Sequence, residues 1–290
     1  MVNLKWSWSC AWTNFRKWKY NPTIYAILAI YLTFALSYTE KIRLFCTASG
    51  MTISPWLLPL YIPTETLMYV GTVILLFSSA PFATSHTPYV QIRTGRLNWF
   101  VGQILYISMA SLVIPLLVWG SLVLSLLPVM RFSWDWGGVI RSLAQYSNLP
   151  QDYGLSFSIN FNEAVVNSYS GISATLLTIF LMWVNNMLLG YTILFCNVAL
   201  TKVSGNVAAC LLLSWSEFAS SGLGFVLFEM GIHRYAVLMW YSLGSLAPAR
   251  ENVFTVPQAL LIQFGVILLL LIGSVWIFYR KDSIFEKNVF

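Results

Sequence analysis

Two carboxylates, Glu65 and Glu217, stand inside long apolar runs, and they are the first residues that ask for a chemical role. Holding an ionised group in hydrocarbon is costly, so such a residue either finds a hydrogen-bonding partner in a helix seam or faces a water-filled path. Glu217 sits in SWSEFASSGLGF, where Ser216, Ser220 and Gly224 recur every four residues and permit close helix approach. Glu65 follows Pro63 and is placed either to line a cavity or to satisfy a local polar need. Most other chemistry is excluded. His86 and His233 are the sole histidines, and neither belongs to the H-E-x-x-H pattern of a zinc protease. Ser170-Gly171 and Ser221-Gly222 lack the G-x-S-x-G surroundings of a serine nucleophile. Cys10, Cys46, Cys196 and Cys210 form no C-x-x-C pair and read as packing residues, not as a metal site or disulfide framework. No G-x-x-x-x-G-K-S/T loop is present to cradle phosphates, so energy from ATP would have to come from a partner.

Two further segments are built for contact. In LKWSWSCAWTNFRKWKY, the residues Leu4, Trp8, Ala11, Trp12, Phe15 and Trp18 share one helical face, and Lys5, Ser9, Arg16 and Lys19 fall elsewhere on the wheel. A basic helix with a Trp-rich face belongs in the headgroup layer, where indole is amphipathic and lysine meets anionic lipid. It serves either as an anchor or as a lever between a cytoplasmic partner and the first span. The second segment is Pro88-Tyr89-Val90-Gln91-Ile92-Arg93-Thr94-Gly95-Arg96, a predicted short helix ended by Gly95. It mixes aromatic, aliphatic and basic groups, as a protein-docking patch does, with Tyr89, Ile92 and Arg93 facing the cytosol. A lipid-facing basic turn is the alternative.

The elements that must position these residues are membrane helices. Of 290 residues, 58% are hydrophobic and 9% charged, against about a quarter charged in soluble domains. In hydrocarbon every backbone group must be paired within a helix or a closed barrel, and the run lengths select helix. Apolar continuity predicts six spans, at about 22–39, 56–80, 98–129, 169–200, 206–228 and 256–279. Ten basic residues against two acidic ones fall on the side of the N-terminus, 81–97, 201–205 and the C-terminus, and six of each fall on the other. The positive-inside rule then puts both termini in the cytoplasm, and the net charge of +6 reads as topology, not as nucleic-acid binding. Residues 1–21 form the interfacial helix, 22–279 the bundle and 280–290 a cytoplasmic tail, all in one membrane domain. Segment 130–168 is expected to be an ordered extracellular cap, and 229–255 to hold a re-entrant or interfacial helical pair before the last span.

This order of elements resembles the permease subunits of type-2 exporters of the ATP-binding-cassette (ABC) class, and TPYVQIRTGRLNWFVGQILYI looks like the corresponding connection in permeases of Gram-positive bacteria. The resemblance implies an all-α integral membrane protein of the bacterial plasma membrane, exporting a peptide, lipid-like or drug-like substrate by alternating access. It implies that Tyr89, Gln91, Ile92, Arg93 and Arg96 dock a separate ATPase subunit, which supplies ATP and Mg, and that the flat helix touches that subunit too. A second permease, identical or paralogous, would face the first, with Glu65, Glu217, Ser220 and Gly224 near the pathway or a helix interface. The long 130–168 segment departs from the short outer loops common in the class. An ion-coupled secondary carrier or a non-transporting scaffold is the other reading of the same spans.

Overall fold

The computed structural model describes residues 3–84, 86–220, 232–246 and 254–280. Among them the chain is helical, with no strand and a lone bridge between Ile53 and Met130. In order, the helices are α1 (Leu4–Arg16), α2 (Pro22–Ser49), α3 (Leu58–Tyr61), α4 (Thr66–Phe77), α5 (Thr87–Thr94), α6 (Arg96–Leu126), α7 (Gly137–Gln145), α8 (Leu149–Asp152), α9 (Glu163–Ser168), α10 (Gly171–Ala199), α11 (Ser204–Ser220) and α12 (Val256–Arg280). Local chemistry sets several ends. Asn21 caps α2 by accepting from the Thr23 N–H at 3.0 Å, Pro22 occupies its first turn, and Gly50 closes it in the left-handed conformation at φ +67°.

Four segments, Pro22–Ser49, Arg96–Val129, Gly171–Ala199 and Val256–Arg280, are long and apolar enough to cross a membrane. They differ in how far protein surrounds them. In α10 61% of the most apolar window is buried, against 17% in α12, so α10 is the axis and α12 lies on the rim. The rim shows large apolar side chains outward, Leu28, Leu32 and Phe34 on α2 and Leu261, Leu268, Leu269 and Ile272 on α12. An apolar face of this extent is stable against lipid tails and not against water. The fold is that of an all-α membrane protein.

One of the predicted spans takes another form. Over 56–80 there is no single helix: α3 passes into a 3-10 turn, Ile62–Thr64, and α4 starts anew after Glu65. Pro59 and Pro63 each remove a backbone donor, so the continuous hydrogen-bond ladder expected there cannot form. The segment nevertheless runs from the α3 end of the bundle to the end where the Asn197 Nδ2 donates to the Ala80 carbonyl at 2.8 Å. The fifth span corresponds to α11 only as far as Ser220, and the rest of 206–228 lies outside the described residues. In 229–255 the described part holds two 3-10 turns, Ile232–Tyr235 and Val237–Met239, and residues 229–231 and 247–253, over which the expected helical pair also extends, lie outside the described residues. Segment 130–168 is ordered, as expected. Trp136, fully buried, donates from Nε1 to the Tyr169 carbonyl at 2.6 Å, and its own carbonyl accepts from Ser54 Oγ at 2.7 Å.

Polar groups fasten the helices where apolar packing alone would let them slide. Pro115 lies inside α6 and cannot donate to the carbonyl of Ser111, four residues back. That carbonyl accepts instead from Asn186 Nδ2 of α10 at 3.0 Å, and Asn186 Oδ1 accepts from the Tyr69 hydroxyl of α4 at 2.6 Å. One buried amide thus joins three helices. Nearby, Tyr31 of α2 and Thr72 of α4 share a hydroxyl bond of 2.5 Å. Asn197 uses both ends of its amide, accepting from the Gly205 N–H at 2.8 Å to start α11 against α10. Gly205 has to be glycine, since a Cβ would stand 2.4 Å from the Ile193 carbonyl oxygen. Replacing Asn186 by alanine orphans two buried groups and is expected to lower stability in detergent by about 1–2 kcal/mol. In the background of Pro115→Ala, which restores the N–H to Ser111, the same change costs less, by on the order of 0.5 kcal/mol; thermal unfolding of the four proteins measures this coupling.

Candidate functional site

Two places bring polar side chains together, one at each end of the bundle. The first is made by α1, α5 and the start of α6. Asn3 caps α1 by accepting from the Lys5 N–H, and its own N–H donates to Asn98 Oδ1 of α6 at 2.7 Å. The face of α1 turned to α6 is small and polar, with Ser7, Cys10, Ala11 and Asn14 all buried. Gly102 of α6 makes this approach possible, because a Cβ there would lie 2.6 Å from Cys10 Cβ and 2.8 Å from the Ser7 carbonyl oxygen. The Asn14 and Gln103 side-chain amides meet at 2.8 Å. Burial raises the Cys10 thiol above its usual pKa, with the bond to Thr94 Oγ acting against it.

The face of α1 predicted from its tryptophans is therefore divided. Leu4, Trp8 and Trp12 point away from the protein, Ala11 is buried under the helix, and Phe15 and Trp18 fold back on Tyr106. The Phe15 and Tyr106 rings are 5.1 Å apart, and Trp18 Nε1 donates to the Tyr106 hydroxyl at 2.8 Å. A helix that turns its serine and asparagine to protein and its indoles outward is arranged for lipid on its outer side.

After α1, the adjoining α5 is short and stands proud of the bundle. Tyr89, Ile92 and Arg93 are exposed, Ile92 by 84%, whereas Gln91 is half-buried. Gly95 ends α5, donating its N–H to the Gln91 carbonyl at 2.9 Å, and its φ of +86° turns the chain directly into α6. Arg96 belongs to the joint more than to the exposed face. Its Nη2 donates to the Phe278 carbonyl at 3.0 Å and its guanidinium lies 4.8 Å from the Phe278 ring centre, tying the start of α6 to the end of α12.

At the opposite end a cavity of about 680 Å³ opens between the α3–α4 break, α11, the 232–246 turns and α9. Its lining among the described residues includes Glu217, Glu163, Asn162, Thr66, Ser242 and Ser245 and no basic residue. The Tyr241 hydroxyl donates to Thr66 Oγ1 at 2.6 Å, which holds the 232–246 turns against α4. Glu65 is half-buried beside this cavity but is not among its lining residues, although Pro63 and Thr66 on either side are. Ser216, expected in a helix seam, accepts at Oγ from the Leu238 N–H at 3.3 Å, so its neighbour is a turn and not a helix. The Ser220 side chain and Gly224 lie outside the described residues.

The structure thus gathers Tyr89, Ile92 and Arg93 on one surface, sets Arg96 apart in the joint, and separates both from Glu217 by the length of the bundle. Sequence reasoning missed Asn162, Ser242 and Ser245 of the cavity and Gly102 beneath α1. The first three come from loops distant in sequence and carry no periodic signal; Gly102 interrupts an apolar run, which is the one mark that could have singled it out. Comparison with known proteins finds no matching family model, no similar curated protein and no similar solved structure. Replacing Gly102 by valine overpacks the seat of α1 at a cost of about 1–3 kcal/mol. We expect trypsin to cut at Lys5, Arg16 or Lys17 faster in that variant than in the parent, with α2–α12 still folded.

Proposed function

We propose that the chain is the membrane-spanning subunit of an ATP-driven transporter of the ABC type-2 exporter class, with six spans and both termini in the cytoplasm. The observation that carries this reading is α5: an isolated helix with an aromatic, an aliphatic and a basic side chain exposed, fixed through Gly95 to the longest helix of the protein. A load applied to Tyr89 and Ile92 reaches α6 at once, and through Arg96 it reaches α12. From α6 it passes to α10 by the Asn186 bond and to α1 by Gly102. Docking of a separate ATPase subunit, holding ATP and Mg, on α5 would therefore move several helices together. Such coupled rigid movement is what alternating access requires.

Six spans are supported by the α3–α4 segment and by α11, whose described residues end at Ser220. The α3–α4 segment and α11 run between the same two ends of the bundle as the four long helices, α11 from Asn197 to Leu238. The cavity opposite α5 would be the outward substrate chamber. With Glu217 and Glu163 in its lining and no basic residue among the described residues there, it suits a cationic or donor-rich substrate. A second copy or a paralogue would complete the pathway. The break at Pro63–Glu65 favours a second reading, an ion-coupled carrier, since such carriers interrupt helices beside carboxylates.

Co-expression with a separate ABC ATPase subunit, sought first among neighbouring genes, decides between them. Under the ABC reading, Tyr89→Ala with Ile92→Ala lowers co-purification of the ATPase and its stimulated turnover at least about tenfold, as expected for interface hot spots. A cysteine at position 92 is then modified from the cytoplasmic side and one at position 146 from outside. Unchanged turnover, or labelling of position 92 from outside, would remove this reading.

A further inference from the structure

We propose that the cleft between α1 and α5 is a binding site for the phosphate group of an anionic phospholipid. The cleft has a volume of about 340 Å³, and a second cavity of about 280 Å³ adjoins it, the two sharing Asn14, Lys17, Phe82 and Thr84. The first size is at the lower end of sites for small ligands, and the second extends it along Trp18 and Tyr106.

Charge distinguishes this cleft from the rest of the surface. Lys17 and Arg93 both line it, from opposite walls. Lys17 continues the face of Cys10 and Asn14, so its side chain, exposed at one end, lines both cavities, whereas Lys5 and Lys19 are not among the lining residues. Every lining residue of both cavities comes from 6–21 or 79–106, and no Asp or Glu occurs anywhere in 1–39 or 66–134. Two cations thus border a half-enclosed space whose walls, among the described residues, supply hydroxyls, amides and aromatic rings but no counter-charge. Desolvation pulls the Lys17 ammonium below the ordinary lysine value, the state that an anion would relieve.

The surroundings select a lipid as the source of the anion. Trp6 lines the cleft, and Trp8 and Trp12 project outward from the same helix, which puts its mouth at the depth where indoles gather, level with lipid phosphates. Arginine and lysine both hold phosphate by charge-assisted hydrogen bonds, and a diester of a headgroup offers the same oxygens as a free phosphate. The inference does not need an ATPase partner, and Tyr89 and Ile92, which test that reading, do not line the cleft.

The test is retention of lipid by the full chain, released from detergent and weighed by native mass spectrometry. Phosphatidylglycerol is expected to be retained at least about tenfold better than phosphatidylcholine of the same chains, a difference of about 1.4 kcal/mol. The double change Lys17→Ala with Arg93→Ala should abolish the preference. Removing the same charge outside the cleft, by Lys5→Ala with Lys19→Ala, should leave it, and Arg93→Lys should preserve most of it. Equal retention of the two lipids by the parent protein would overturn the proposal without any variant. So would equal losses in the two double variants, which would mark a diffuse charge effect. Displacement of phosphatidylglycerol by inorganic phosphate at millimolar concentration would assign the site to free phosphate and overturn the lipid assignment.

Discussion

The structure rests on a single constraint: in a helix surrounded by hydrocarbon, a carbonyl without its partner has no water to turn to. Pro115 creates such a carbonyl at Ser111 in the middle of α6, and Asn186 of α10 answers it. The remaining oxygen of that amide then fixes the Tyr69 hydroxyl, and Tyr69 packs 5.3 Å from Tyr241, the residue that holds the far turns to Thr66. A defect in one helix is therefore what aligns α4, α6 and α10. Lipid gives no net preference for one apolar surface over another, so relative position must come from such bonds and from close packing at small residues. Gly102, Gly190 and Gly205 supply the second kind: a Cβ at Gly190 would stand 2.6 Å from Ile107, as close as the one at Gly102 would stand to Cys10.

What the sequence revealed follows from the same physics. Long apolar runs declare membrane helices by length alone, and the segments around α2, α6, α10 and α12 were legible for that reason. Asn21 and Pro22 marked the start of α2 and Gly95 the end of α5, because each has a local conformational cause, whereas α2 runs to Ser49, beyond residue 39, the predicted end of its apolar run. The break after α3 was harder. Pro59 and Pro63 were visible, but whether a proline bends a helix or ends it depends on what satisfies the freed carbonyls, and that is decided by neighbours. Pro115 shows the opposite outcome in the same protein, since α6 continues through it.

The site was legible only in part, for a related reason. Exposure of Tyr89 and Ile92 follows from composition, because a short helix with basic and aromatic residues has no apolar stripe wide enough to bury. Arg96 could not be separated from that patch by sequence, since its partner, the Phe278 carbonyl and ring, lies on the last helix. The tryptophan face of α1 was divided in the same way. Periodicity identified Trp8 and Trp12 as outward, yet the seat of the helix is made by Ser7, Cys10 and Asn14, whose fit to Gly102 no periodicity expresses.

The two ends of the bundle differ in charge as well as in form, and the difference has a mechanical aspect. The basic cleft lies between α1 and α5, while the cavity with Glu163 and Glu217 lies where α4 begins and the turns of 232–246 rest on it. Between them stand α6 and α10, joined near mid-length by Asn186, one turn nearer α5 by the close approach of Gly190 to Ile107, and again where the Tyr191 hydroxyl donates to the Ile104 carbonyl at 3.2 Å. Two helices pinned at separated points move as one body. Rotation about the Gly95 joint would then displace the far end of α6 more than the near end, because displacement grows with distance from a hinge. A small movement at α5 would in this way be enlarged at the far end of α6.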